Sequence, residues 1–298
     1  MGGEKKQAPP RVVYGWLALL LMLWSSNFIF ARFALRELPL GVVLGFRYVF
    51  SAALMLPVIA LGGGQSRVKH PWNWHDLPGL LTIGLLGLVG NQALFVVGIS
   101  MTSVAHAGVI TALSPVLVLL GSAALGHERI SGARIVGLLT AACGVVVLQF
   151  SRGAAGAATL KGDAVMLASV VVFAGFNLAA KPYAERAGTV RVNAIAYFAA
   201  GLLALPLALW SLSRGAHGSL LAWCGVAYMA AGSSVAGYLI YAYALRHLAA
   251  SRVSVVVYLQ PIVVTLLAIV ALGERPGAGF LPAVGLVLAG VWVVERRG

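Results

Sequence analysis

The sequence predicts an all-α integral membrane protein whose ten transmembrane helices form two inverted five-helix repeats. Composition, the count of apolar stretches and an internal repeat at a fixed offset carry that prediction. The 298 residues are 60% hydrophobic and 10% charged, with a mean hydropathy of +0.94. Soluble domains carry about 25% charged residues, so a soluble fold is excluded. Apolar stretches long enough to cross a bilayer fall near 13–33, 41–61, 77–101, 104–126, 131–150, 163–183, 191–211, 220–245, 252–272 and 277–295. The connections between them are too short for a soluble domain.

The repeat is clearest in the last two spans of each half. Without gaps, Ser114-Pro115-Val116 falls on Gln260-Pro261-Ile262, Glu128-Arg129 on Glu274-Arg275, and Gly144-Val145 on Gly290-Val291. Earlier spans agree more loosely: Pro57 meets Pro206, and Tyr48 meets Tyr197. Repeats of this kind reflect architecture. Five spans per copy is an odd number, so span 6 enters from the side opposite span 1. The halves, expected at 11–151 and 160–296, are therefore inverted about an axis in the membrane plane, the arrangement of many transporters.

The net charge of +13 would suit nucleic acid, but the cations are placed by topology. With a cytoplasmic N-terminus, 14 of the 21 Lys and Arg fall in inner segments and 6 in outer ones. That bias satisfies the positive-inside rule and sets both termini on the cytoplasmic side of an inner membrane. A lipid bilayer is thus an expected partner and nucleic acid is not. Cys143 and Cys224 lie far apart in apolar spans, with neither disulfide nor metal spacing. The first span follows a basic leader, but its apolar run is too long for a signal core, so it is read as a retained helix.

Span 1 places Trp24 and Phe28 on one helical face by their i, i+4 spacing, with Asn27 beside them. Span 2 carries Arg47 about two turns in. An intramembrane arginine is costly and usually paired or functional, although one this shallow can also snorkel outward in a structural role. At the entry to span 3, His70, His75 and Asp76 flank Trp72 and Trp74, which reads as an interfacial aromatic belt. Deeper in span 3 lie Asn91, Gln92 and Phe95, and span 6 carries Phe173, Phe176 and Asn177. Buried amides need partners, either a polar solute or a neighbouring helix.

Spans 4 and 9 hold the matched prolines Pro115 and Pro261. Proline lacks an N–H and pushes on the carbonyl four residues back, so helix breaks are expected that free the carbonyls of Thr111 and Val257. Such breaks are tolerated where they face protein or a wet cavity. Thr111, Ser114, Tyr258 and Gln260 would then gather polar atoms at the midplane, the other reading being an ordinary packing kink. His106 and Arg252, repeat mates at the starts of these spans, are gate candidates or interfacial anchors. Span 8 adds Tyr238 and Tyr241. In spans 5 and 10, Gly137, Ala141, Gly144, Gly285, Ala289 and Gly290 recur closely. Small residues let helices approach, so these spans are expected to serve as scaffold or as the contact of a homodimer, a monomer being the alternative.

All eight acids fall at helix ends or in connections, leaving a proton relay no obvious mid-membrane seat. No phosphate-binding loop, HExxH or nucleophile elbow is present. The reading is accordingly not an enzyme, with no catalytic residue, metal or cofactor. A lipid-modifying membrane enzyme would need paired acids or a His/Asp cluster, and only His70, His75 and Asp76 come near.

The chain resembles the drug/metabolite transporter superfamily, in its ten-helix form with two EamA domains. The resemblance rests on the duplicated halves, the prolines of spans 4 and 9, and Phe46-Arg47-Tyr48. It also rests on Gly-His-Glu-Arg at 126–129 and Leu-Gly-Glu-Arg at 272–275, the first copy inserting His127. It implies an inner-membrane carrier with a cavity lined by spans 1, 3, 4, 6, 8 and 9, and with spans 5 and 10 peripheral. Proton-coupled small relatives use a glutamate in their first helix, which this chain lacks. The expected function is export of small amphipathic metabolites, foremost neutral and aromatic amino acids, by alternating access. Trp24, Asn27, Asn91, Thr111, Ser114, Asn177, Tyr238, Tyr258 and Gln260 are the expected contacts of that small-molecule substrate. The alternatives are a multidrug extruder, which calls for a membrane-embedded acid, and a nucleotide- or sugar-type transporter, which calls for deep cations.

Overall fold

The computed structural model of the chain describes residues 10–60, 75, 77–126, 131–150, 158–215, 217–247 and 255–296. Ten apolar helical spans run through them, seven at least 18 residues long and three shorter. They are α1 (Pro10–Glu37), α2 (Leu40–Ala60), α3 (Leu77–Ile83, Gly84–Val89 and Gly90–Met101) and α4 (Val104–Thr111 and Ser114–Ala124). Then come α5 (Gly132–Phe150), α6 (Leu160–Ala187), α7 (Thr189–Ser213), α8 (Leu220–Tyr228, Met229–Ala236 and Gly237–His247), α9 (Val255–Leu272) and α10 (Phe280–Arg296).

Side chains and glycines set where these helices begin and end. Ser103 caps α4 by accepting from the His106 amide at 3.1 Å, and Ser219 caps α8 by accepting from Ala222 at 3.3 Å. Each hydroxyl satisfies one of the N–H groups that a helix start leaves orphaned. Gly126 (φ 73°) and Gly273 (φ 67°) follow the ends of α4 and α9 in the left-handed conformation that glycine adopts without steric cost. After α9 the Gly273 amide returns to Ile269 O and the Glu274 amide to Ala268 O, both at 3.2 Å. The glycine of the repeated Gly-Glu element is thus a helix terminator.

Helices related by the repeat pack on each other. The α2 helix lies along α7, and α5 along α10; α1 contacts α8 and α9, while α6 contacts α3 and α4, and α4 meets α9. A Cβ on Gly144 would stand 2.7 Å from the Val287 amide nitrogen, and one on Gly290 would run into the Ala141 backbone. The small-residue faces of α5 and α10 are therefore occupied by each other within one chain. Apolar side chains such as Val270 (85% exposed) and Leu281 (78% exposed) face outward, as lipid contact requires.

The two matched prolines differ in helix continuity. In α4 the helix ends at Thr111 and restarts at Ser114, which puts Pro115 in a first turn where its missing N–H costs nothing. The α9 helix continues through Pro261, so Pro261 is not a break. One lost donor leaves the rest of the ladder intact, and the Thr265 hydroxyl donates to Pro261 O at 2.7 Å. The other irregularities are π-helical segments that the repeat analysis did not anticipate, Gly84–Val89 in α3 and Met229–Ala236 in α8. They occupy matching positions in the two halves.

Candidate functional site: a cavity where the halves meet

Ser233 of the α8 π segment, and Thr111 and Ser114 on either side of the α4 break, line a cavity. Extra residues in a helical turn release carbonyls from the regular ladder, a feature common at functional sites. Side chains take up one carbonyl in each π segment. The Trp24 indole donates to Ser233 O at 3.3 Å, and the Tyr48 hydroxyl to Val89 O at 2.9 Å. The cavity holds about 130 Å³ and is partly open to solvent.

Its lining combines aromatic and polar side chains. Trp24 and Phe28 of α1, Phe95 of α3, Phe173 of α6 and Tyr238 of α8 form the aromatic part. Trp24 meets Tyr238 edge-on at 6.0 Å, and Phe28 meets Phe95 at 4.9 Å with planes at 83°. The polar part comprises Asn27, Arg47, Asn91, Gln92, Thr111, Ser114, Ser169, Ser233 and Gln260. All six helices that the family resemblance implies contribute lining, and α2 joins them through Arg47.

Of the nine expected substrate contacts, Trp24, Asn27, Asn91, Thr111, Ser114, Tyr238 and Gln260 line this cavity. Asn177 is not among its lining residues; its amide donates back to Phe173 O of its own helix at 2.8 Å. The Tyr258 side chain lies outside the described residues, as do Arg252, Glu128 and Arg129. Asn91 is committed to α6: its amide donates to Ser169 O at 2.9 Å and Ser169 Oγ at 3.0 Å, and Ser169 Oγ donates back to Asn91 O. The Thr111 hydroxyl donates to Ala107 O at 2.7 Å.

Arg47 corrects the snorkelling reading. Its side chain turns into the bundle, is 4% exposed, and its Nε donates to Ser234 Oγ at 3.2 Å. It is the cation inside a span, the signal by which sequence alone could have placed it here. Gln92, buried in α3, donates to the Tyr197 hydroxyl at 2.7 Å. Ser169 and Ser233 carried no sequence signal that sets them apart from other intramembrane serines.

A second set of polar contacts joins helices at the end of the bundle opposite the chain termini. Glu274 accepts from the Val104 and Ala105 amides at 2.8 and 3.0 Å, joining the end of α9 to the start of α4. Glu37 does the same between α1 and α8, accepting from the Ser219 amide at 2.6 Å and its hydroxyl at 2.9 Å. The Arg32 guanidinium reaches Ile99 O. His106, the gate candidate of α4, is buried there against Asp163, which also accepts from Thr102.

A bundle of ten spans in two inverted halves, with a cavity lined by polar and aromatic residues from both, is the architecture of a membrane transporter. The chain belongs to the EamA-like transporter family, whose profile matches it twice, over residues 12–150 and 160–296. It is 27% identical to an uncharacterized transporter of Archaeoglobus fulgidus over 94% of this chain and 98% of that protein. It is 29% identical to a probable terminal-alkyne amino-acid exporter of Streptantibioticus cattleyicolor, over 94% and 92%. With the aromatic amino acid exporter YddG of Ancylobacter novellus the identity is 26%, over 92% and 93%. A crystal structure 24% identical in sequence superposes with a TM-score of 0.66, covering 97% of this chain and 100% of the other, and shares the fold.

Proposed function

We propose that the protein exports small amphipathic metabolites, foremost neutral and aromatic amino acids, across the inner membrane by alternating access, with both termini cytoplasmic. The observation that supports this reading is a cavity lined both by aromatic rings and by amides and hydroxyls. A zwitterion needs hydrogen-bonding groups at one end and, for its side chain, an apolar or stacking surface at the other. Two relatives named as amino-acid exporters support it. The position of the cavity between the halves suits rocking of one repeat against the other about a central site.

Proteoliposomes containing the purified protein and preloaded with unlabelled amino acid should accumulate radiolabelled phenylalanine or leucine by counterflow, above protein-free vesicles. No accumulation for any neutral or aromatic amino acid, with protein shown to be folded, overturns the proposal.

A further inference from the structure

We infer that Arg47 is the counter-ion for a substrate carboxylate, so that the cavity selects solutes carrying one. The observation is a guanidinium inside the bundle, 4% exposed, lining the cavity, whose Nη1 has no protein hydrogen-bond partner. Its one hydrogen bond to a described side chain is the neutral contact of Nε to Ser234 Oγ. Among the described residues the ion pair is His106 with Asp163, so no described carboxylate balances Arg47.

A buried charge without an opposite charge is costly, and groups of this kind mark solute or ion pathways in membrane proteins. Guanidinium matches carboxylate in a planar, two-pronged geometry. A substrate carboxylate would therefore supply the missing anion and the missing acceptor together. Two further buried atoms among the lining residues also lack protein partners, Asn27 Oδ1 and Gln92 Oε1. Both are acceptors, the complement of an ammonium group. One unpaired cationic donor and two unpaired acceptors around one cavity make the pattern of an α-amino acid head group, while Trp24, Phe28 and Phe95 are left to the side chain. This assignment rests on the proposed amino-acid reading for its ammonium half, but the carboxylate half stands on Arg47 alone.

The test is thermal protection of purified protein by three ligands sharing one ring: phenylalanine, phenylalaninamide without the carboxylate, and 3-phenylpropionate without the ammonium. Phenylalanine should protect at concentrations about 10- to 100-fold lower than phenylalaninamide, the factor of a charge-assisted hydrogen bond. Arg47→Gln should weaken phenylalanine and 3-phenylpropionate by a similar factor and leave phenylalaninamide unchanged. Equal protection by phenylalanine and its amide, or equal weakening of all three ligands in Arg47→Gln, overturns the assignment. Should Arg47→Gln not fold, the wild-type ligand series decides alone. Protection by 3-phenylpropionate but not phenylalanine would sustain Arg47 and overturn the amino-acid reading. Protection by none of the three overturns both.

Discussion

His106 Nδ1 stands 3.0 Å from Asp163 Oδ2, with side chains 4% and 3% exposed, and the pair joins the first turn of α4 to the first turn of α6. Asp163 is at a helix start, where negative charge is favoured, yet it is enclosed by protein. Removing one partner of a buried pair strands the other. Asp163→Ala should therefore destabilise by about 3–5 kcal/mol, and Asp163→Asn by less, because its carbonyl still accepts from Thr102. Thermal unfolding in detergent measures both. Equal, near-zero shifts would mean that the pair contributes little.

Neither His106 nor Asp163 lines the cavity, so a proton held between them touches no bound solute. Transport should therefore run without an imposed pH gradient. Counterflow in proteoliposomes of equal internal and external pH, with a protonophore present, is expected to match counterflow without it. Dependence on a gradient, lost in His106→Gln, would make this pair a proton carrier.

Glu274 ties the two halves at a helix start through its contacts with the Val104 and Ala105 amides. Under the proposed alternating access, this tie parts when that end of the bundle opens. Glu274→Ala should remove about 1–2 kcal/mol of it, shifting the balance between conformers up to about 30-fold. A cysteine at Thr111 should then react faster with a membrane-impermeant thiol reagent added from that side. Unchanged labelling would show that the contact does not hold the end shut.

The repeat and the hydropathy made the ten helices legible, because each helix must present about twenty apolar residues to lipid. The same periodicity led to Trp24, Asn27, Ser114 and Gln260, which stand on cavity-facing turns. Asn177 was expected in the cavity as an intramembrane amide, and it is not among the lining residues. An amide in a helix can satisfy itself one turn back, as its bond to Phe173 O shows. Arg47 was visible as a cation within a span, but whether it turned inward depended on Ser234 in another helix. The π segments rest on one extra residue per turn, which no apolar periodicity reveals. Gly84, Gly90, Gly232 and Gly237 at and beside them were the available trace.

Ser114 and Gln260 are repeat mates, both buried and both lining the cavity. Replacing either with alanine removes hydrogen-bonding capacity from the cavity lining without adding bulk. Counterflow should fall about tenfold, the worth of roughly one hydrogen bond, while membrane expression stays near wild type. Loss of expression in proportion to transport would assign these residues to folding instead.

Gly144 and Gly285 separate packing from helix propensity at the contact of α5 with α10. A Cβ on Gly144 would meet the Val287 amide nitrogen at 2.7 Å and Ala283 O at 3.0 Å, both backbone atoms that no rotamer can move. A Cβ on Gly285 meets nothing within 4 Å. Gly144→Ala should therefore cost about 1–3 kcal/mol by overpacking, whereas Gly285→Ala should be neutral or stabilising by up to about 1 kcal/mol. Unfolding of the two variants side by side checks this. If both behave alike, the close approach of α5 and α10 is not what the glycines at this contact secure.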